Sequence, residues 1–169
     1  MPPSRIVLIG FMGAGKSTVG PKVAALTGWP FKDMDAWIEE RAGLSVAEIF
    51  RTRGEADFRS QETQLAEEVA QIPHLVVAAG GGAFTFPRTR EALQDGAFTV
   101  WLRCELDEIL SRVRLDGGRP LAPDRETISR LYSERQPSYR LADWIVDTTA
   151  ASPDDVARAV VDAFRTRQG

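Results

Sequence analysis

With one cysteine, one histidine and lysine only at Lys16, Lys22 and Lys32, the chain is short of several reactive side chains, and each shortage narrows its chemistry. Cys104 alone cannot close an internal disulfide, so stability must come from a packed core and a reducing compartment is expected. No apolar run approaches the length of a membrane span, and the N-terminus lacks an apolar segment long enough for a secretory signal. Both features predict a cytoplasmic protein without a membrane partner. Basic blocks are also missing: arginines are dispersed among carboxylates, the net charge is −3, and the pI is near 5.3. That excludes a basic face for nucleic acid. No long exposed apolar stripe stands out, which predicts a monomer. What is plentiful is core material: 169 residues with 43% hydrophobic content suit one well-buried domain over residues 1–169.

The most selective segment is Gly10-Phe11-Met12-Gly13-Ala14-Gly15-Lys16-Ser17. It is a phosphate-binding loop of the form G-x-x-x-x-G-K-[ST], placed directly after the apolar run Ile6-Val7-Leu8-Ile9. Backbone N–H groups of such a loop, including those of Gly13, Ala14 and Gly15, converge on phosphate oxygens at the positive end of the following helix. Lys16 would bridge the outer phosphates, Ser17 would hold Mg²⁺ through its hydroxyl, and Thr18 would support the first turn.

Five short apolar runs, Arg5–Ile9, Pro30–Lys32, Leu75–Ala79, Phe98–Leu102 and Trp144–Val146, alternate with helical patterning and turn signals. Such a β-α repeat predicts an α/β fold, a three-layer α/β/α sandwich around parallel strands covered on both faces. The first helix is expected from Lys16 to Thr27 with Gly28 as its stop, despite Pro21 inside it. Ser45-Val46-Ala47-Glu48 has capping-box spacing for a short helix ending near Phe50, and a longer helix should run from Glu55 to Ala70.

Asp33 and Asp35 follow the second strand, at the edge where open α/β sheets place their ligands. Read as an extended segment, residues two apart point the same way, so Asp33 could approach the metal's water shell and Asp35 the attacking hydroxyl. The alternative is that one of them caps the next helix. Gly80-Gly81-Gly82 follows the third strand, where backbone without Cβ atoms can approach a ligand closely. An aspartate expected there in many phosphate-loop proteins is missing, which leaves metal support to Ser17 and Asp33. Arg59, Arg119 and Arg135 are candidates for gripping a carboxylate or neutralising a transferred phosphoryl group. The segment Leu115–Pro120, with its glycine pair and Arg119, reads as a mobile lid.

The ordered set Gly10–Thr18, Asp33-x-Asp35, Ser45–Phe50, Gly54-Glu55-x-x-Phe58-Arg59, Gly80–Gly82, Arg119-Pro120-Leu121 and Arg135-x-Pro137-x-Tyr139 strongly resembles shikimate kinase over nearly the whole chain. The resemblance implies a nucleoside monophosphate kinase fold with a five-stranded parallel sheet of order 2-3-1-4-5. It also implies transfer of the γ-phosphoryl group of ATP, with Mg²⁺, to the 3-hydroxyl of shikimate in aromatic amino acid biosynthesis. ATP, ADP and shikimate are then the expected ligands. Helices at about 33–62 would bind the acceptor, and a lid at about 114–125 would close over the phosphates.

By the same resemblance, Asp35 contacts the reacting hydroxyl and is the candidate base, and Asp33 reaches Mg²⁺. Arg59 and Arg135 hold the shikimate carboxylate, and the backbone of Gly80, Gly81 and Gly82 bonds the substrate's hydroxyl side. Arg119 is the lid arginine, catalytic with Lys16 and Asp35, while Arg112 and Pro153 lie around adenine. Glu62 resembles a supporting carboxylate, with a surface helix charge as the alternative, and Phe50 and Phe58 form either a pocket wall or core. Pro21 and Arg140 depart from the family pattern. A gluconate kinase would share the loop and fold but has less need of Arg59, Arg135 and the glycine run together. Intact Lys16, Ser17, Asp33, Asp35 and Arg119 speak against a binder that has lost catalysis.

Overall fold

The computed structural model describes residues 1–112 and 124–169. Strands β1 (Arg5–Ile9), β2 (Phe31–Asp33), β3 (Leu75–Ala78), β4 (Ala97–Arg103) and β5 (Trp144–Asp147) form one parallel sheet in the order β2-β3-β1-β4-β5. Ile6 of β1 stands beside Val76 of β3 and Phe98 of β4. All five residues of β1 are buried, including Arg5, because helices cover both faces and leave no reason for polar alternation. The result is the three-layer sandwich with the sheet order that the family resemblance implied. Helix α1 (Lys16–Thr27) packs on β3 and on α8 (Pro153–Gln168). Helix α4 (Glu55–Val69) packs on α3 (Val46–Arg53) and on α5 (Pro87–Gln94). The remaining described α-helices are α2 (Met34–Ala42), α6 (Leu106–Arg112) and α7 (Arg125–Tyr139), and a single 3-10 turn spans Ala83–Thr85.

Local chemistry sets the ends of these elements. Gly28, at φ 76°, donates its N–H to Ala24 O and stops α1 where expected. Pro21 does not interrupt that helix. Ser45 Oγ accepts from Glu48 N at 3.1 Å, as the capping spacing required, but α3 continues past Phe50 to Arg53. Its stop is Gly54, whose N–H closes on the carbonyls of Ile49 and Phe50. The second strand starts one residue later than expected: Pro30 offers its carbonyl to Val76 N at 3.0 Å, yet has no N–H for the ladder. Since β2, β3 and β1 are neighbours and parallel, the segments after their carboxyl ends, beginning at Met34, Ala79 and Gly10, emerge side by side.

Candidate active site

A cleft of about 700 Å³ lies along that edge, from the phosphate loop to the glycine run after β3. At the phosphate end, Lys16 Nζ donates to Gly10 O at 2.6 Å and Phe11 O at 3.1 Å, which folds the ammonium back over its own loop. The loop is held from outside by two donors: Arg112 Nη1 reaches Gly13 O, and Thr148 Oγ1 reaches Ala14 O, each at 3.2 Å. Gly10 sits at φ 151°, and a Cβ there would come within 2.7 Å of Leu102 O, so the sharp exit from β1 requires glycine. Gly13, Ala14, Gly15, Ser17, Thr18 and Pro153 all line the cleft. The structure therefore brings together every described residue expected around the nucleotide.

The extended reading of Asp33-x-Asp35 is corrected. Asp33 ends β2 and caps α2, its Oδ1 accepting from Ala36 N at 3.1 Å, while Asp35 already belongs to the first turn of that helix. The capping alternative holds for Asp33, whose Oδ1 caps while its Oδ2 accepts from Ser17 Oγ at 3.2 Å. Asp35 turns instead toward the glycine run. A Cβ on Gly80 would lie 2.7 Å from Asp35 Oδ1 and 2.9 Å from Glu62 Oε2. Among the described residues these two carboxylate oxygens are the buried side-chain polar atoms left without a hydrogen bond. Buried acceptors without partners are rare in folded proteins, and here two of them face one open point.

Glu62 is fully buried on α4, which removes the reading of it as a surface charge. Its Oε1 accepts from Arg59 Nη1 at 2.8 Å, and the Arg59 guanidinium also lies 4.8 Å over the Phe86 ring. Gly82 admits that guanidinium, since a Cβ there would meet Arg59 Nη2 at 2.5 Å. From the other side, α7 brings Arg135 Nη1 to 3.0 Å from the position a Gly81 Cβ would take. Phe50 and Phe58, with ring centroids 5.0 Å apart, wall the same region, and Phe58 is also part of the core. Two arginines from distant helices thus flank three consecutive glycines.

Burial, more than any neighbour, pushes the Asp35 carboxyl above the ordinary carboxylate range. Asp33 adds to the rise, and Lys16 and Arg59 oppose it. Burial raises Glu62 as well, against the pull of Arg59, with Asp35 adding a smaller like-charge contribution. The phenol of Tyr139 is pushed up to about 12 by complete burial.

For a divalent cation the donor set fits Mg²⁺: a hydroxyl and a carboxylate, Ser17 and Asp33, stand together beside the loop, and both are hard oxygen donors. Among the described residues no cluster of three or more acidic, His or Cys side chains competes as a metal cage. Mg²⁺ bound with few protein ligands and the rest from phosphate and water matches that arrangement. Arg119 lies outside the described residues, as does most of the lid expected at 114–125. Thr148 had no signal in the sequence: it is a small polar residue after the last strand, and only the fold places it under Ala14.

Comparison with known proteins agrees with this geometry. The Shikimate kinase family model matches residues 12–165. The shikimate kinase of Halorhodospira halophila is 44% identical over 167 residues, covering 96% of this chain and 94% of that protein. That of Moorella thermoacetica is 42% identical, covering 96% and 95%. Among solved structures, the shikimate kinase from Acinetobacter baumannii in complex with shikimate superposes with a TM-score of 0.93 at 34% identity, over 99% of this chain and 96% of that one. With a phosphate loop, an acidic pair and two arginines on one cleft, and matches of this extent, the chain belongs to the shikimate kinase family.

Proposed function

We propose that the chain transfers the γ-phosphoryl group of ATP to the 3-hydroxyl of shikimate, giving shikimate 3-phosphate and ADP, and that residues 1–169 act as one kinase domain. One observation carries the reading of the site: Arg59 and Arg135 converge on Gly80–Gly82 from separate helices, beside the orphan oxygens of Asp35 and Glu62. An acceptor bearing both a carboxylate and hydroxyl groups satisfies this set. The planar guanidinium groups take the carboxylate, and the buried carboxylate oxygens take hydroxyl protons.

The proposed chemistry is in-line displacement. The acceptor oxygen forms a bond to the γ-phosphorus as the bond from that phosphorus to the ADP oxygen breaks, and the hydroxyl proton passes to Asp35. Lys16 leaves the Gly10 and Phe11 carbonyls for the outer phosphates, where its charge stabilises oxygens that become more negative in the transition state. Gly13, Ala14 and Gly15 present backbone N–H groups, and Thr18 supports the turn. Ser17 and Asp33 would hold Mg²⁺, which supplies neutralisation of the β- and γ-phosphate charge. Arg112 and Pro153 flank the adenine end, and Arg119, outside the described residues, is assigned with Lys16 to the phosphates by the family resemblance alone. Arginine held against the rings of Phe58 and Phe86 is already oriented before the acceptor arrives, which lowers the ordering cost of binding. A cytoplasmic location fits the single free cysteine, which is buried.

The test is ADP release from Mg·ATP with shikimate, with gluconate and no-acceptor reactions alongside. Shikimate-dependent release at rates well above both controls is expected. Equal release with all three would reject the assignment.

A further inference from the structure

Tyr139 is the last residue of α7, one helical turn beyond Arg135 and on the same face. It is fully buried, and its hydroxyl donates to the Gly81 carbonyl, 58 residues away in the chain. Arg135 Nη1 approaches the α-carbon side of that same glycine, and its guanidinium lies 5.5 Å over the Phe11 ring of the phosphate loop. One helix face therefore clasps Gly81 at two points, by a hydroxyl on its carbonyl and by a guanidinium over its open side. Gly81 can offer no side chain to fix itself, so its peptide orientation depends on such outside contacts. The Tyr139 ring is set in turn by Trp101 of β4, with centroids 5.7 Å apart. With its phenol pushed up to about 12, the group remains a donor over the whole working pH range of a protein.

We propose that Tyr139 is a positioning residue for acceptor recognition: its hydroxyl locks the Gly81 peptide and so fixes where Arg135 presents its guanidinium to the acceptor's carboxylate. The inference rests on the assignment of Arg135 to that carboxylate. A hydroxyl that only satisfied a buried carbonyl would affect stability and leave ligand discrimination unchanged.

Tyr139→Phe keeps the ring against Trp101 and removes only the donor. Tyr132→Phe is the matched control, because Tyr132 Oη also donates from α7 to a backbone carbonyl, that of Cys104, at 2.9 Å. Dissociation constants are measured by calorimetry for shikimate, for an analogue with the carboxylate replaced by hydroxymethyl, and for Mg·ATP, with KM and kcat from ADP release. Tyr139→Phe is expected to weaken shikimate about tenfold, equivalent to ~1.4 kcal/mol, and to leave the analogue, Mg·ATP and kcat within about twofold. Tyr132→Phe should leave all of these within about twofold. Unchanged shikimate affinity in Tyr139→Phe, equal losses for shikimate and the analogue, or a general loss that includes Mg·ATP would each overturn the proposal. A wild-type enzyme without shikimate turnover would refute the functional reading itself, whereas an active wild type with an unaffected Tyr139→Phe variant refutes the positioning role alone.

Discussion

Burial and Asp33 both disfavour charge on Asp35, with Lys16 and Arg59 pulling the other way. Its place in the first turn of α2 favours a negative charge by only about 0.3–1 kcal/mol, and desolvation outweighs that. A carboxyl raised in the folded state stabilises fully below its unfolded pKa, and that contribution is lost as pH rises through the folded value. At pH 7, above the unfolded value, the Asp35 carboxyl is therefore a cost to the fold. Asp35→Asn should be at least as resistant to urea as the wild type at pH 7, should bind both ligands, and should lose roughly 10²–10⁴ in kcat. Turnover near the wild-type rate would remove Asp35 as the base. The acidic limb of kcat/KM should also lie above the ordinary carboxylate range and flatten in Asp35→Asn, as measured from pH–rate profiles. Gly82→Ala tests the other wall of the site: its Cβ would displace Arg59, with 2.5 Å to Nη2. The expected result is a shikimate KM raised about tenfold or more with the Mg·ATP KM unchanged.

Helix α1 shows why an element cannot be judged by propensity alone. Glycine inside a helix costs about 1 kcal/mol relative to alanine, so Gly20→Ala would ordinarily stabilise. Here a Cβ at Gly20 would stand 2.1 Å from Phe31 Cε1, because α1 crosses β2 at close range. Overpacking costs about 1–3 kcal/mol and should win, so Gly20→Ala is expected to lower the urea midpoint. An increase would mean that Phe31, only partly buried, swings clear. The element order was legible in the chain because the strand runs and the glycine stop at Gly28 depend on local chemistry. The phosphate loop was legible for the same reason, since its residues are consecutive. Less local features were not: Asp33 and Asp35 read as extended because strand and helix meet between them, and Glu62 could not be told from a surface charge until α4 was packed. The sheet order came from the family resemblance, as periodicity carries no information on which strands neighbour one another. Convergence of Arg59 and Arg135 on the glycine run depends on how α4 and α7 are placed around β3, which no spacing in the sequence states.

At the scale of the whole molecule, the sheet order makes one cleft from segments that are far apart in the chain. The loop after β1 supplies the phosphate end, and the segments after β2 and β3, with α4 and α7, supply the acceptor end. The two ends meet at Asp35, which feels Lys16 from one side and Arg59 from the other. Ligands that bind only the folded chain stabilise it by about 2.7 kcal/mol at a hundredfold excess over Kd, which for a domain of this size is roughly 5–10 °C in Tm. Mg·ATP and shikimate should each produce a shift of that order in a thermal denaturation series. If the cleft is divided as argued, Lys16→Ala should abolish the Mg·ATP shift and retain most of the shikimate shift, and Arg135→Ala should do the reverse. The comparison is internal to each variant, so a lower starting Tm in Arg135→Ala, whose side chain is buried, does not affect it. Loss of both shifts in both variants would show that the ends do not bind independently, and the division of labour along the cleft would have to be abandoned.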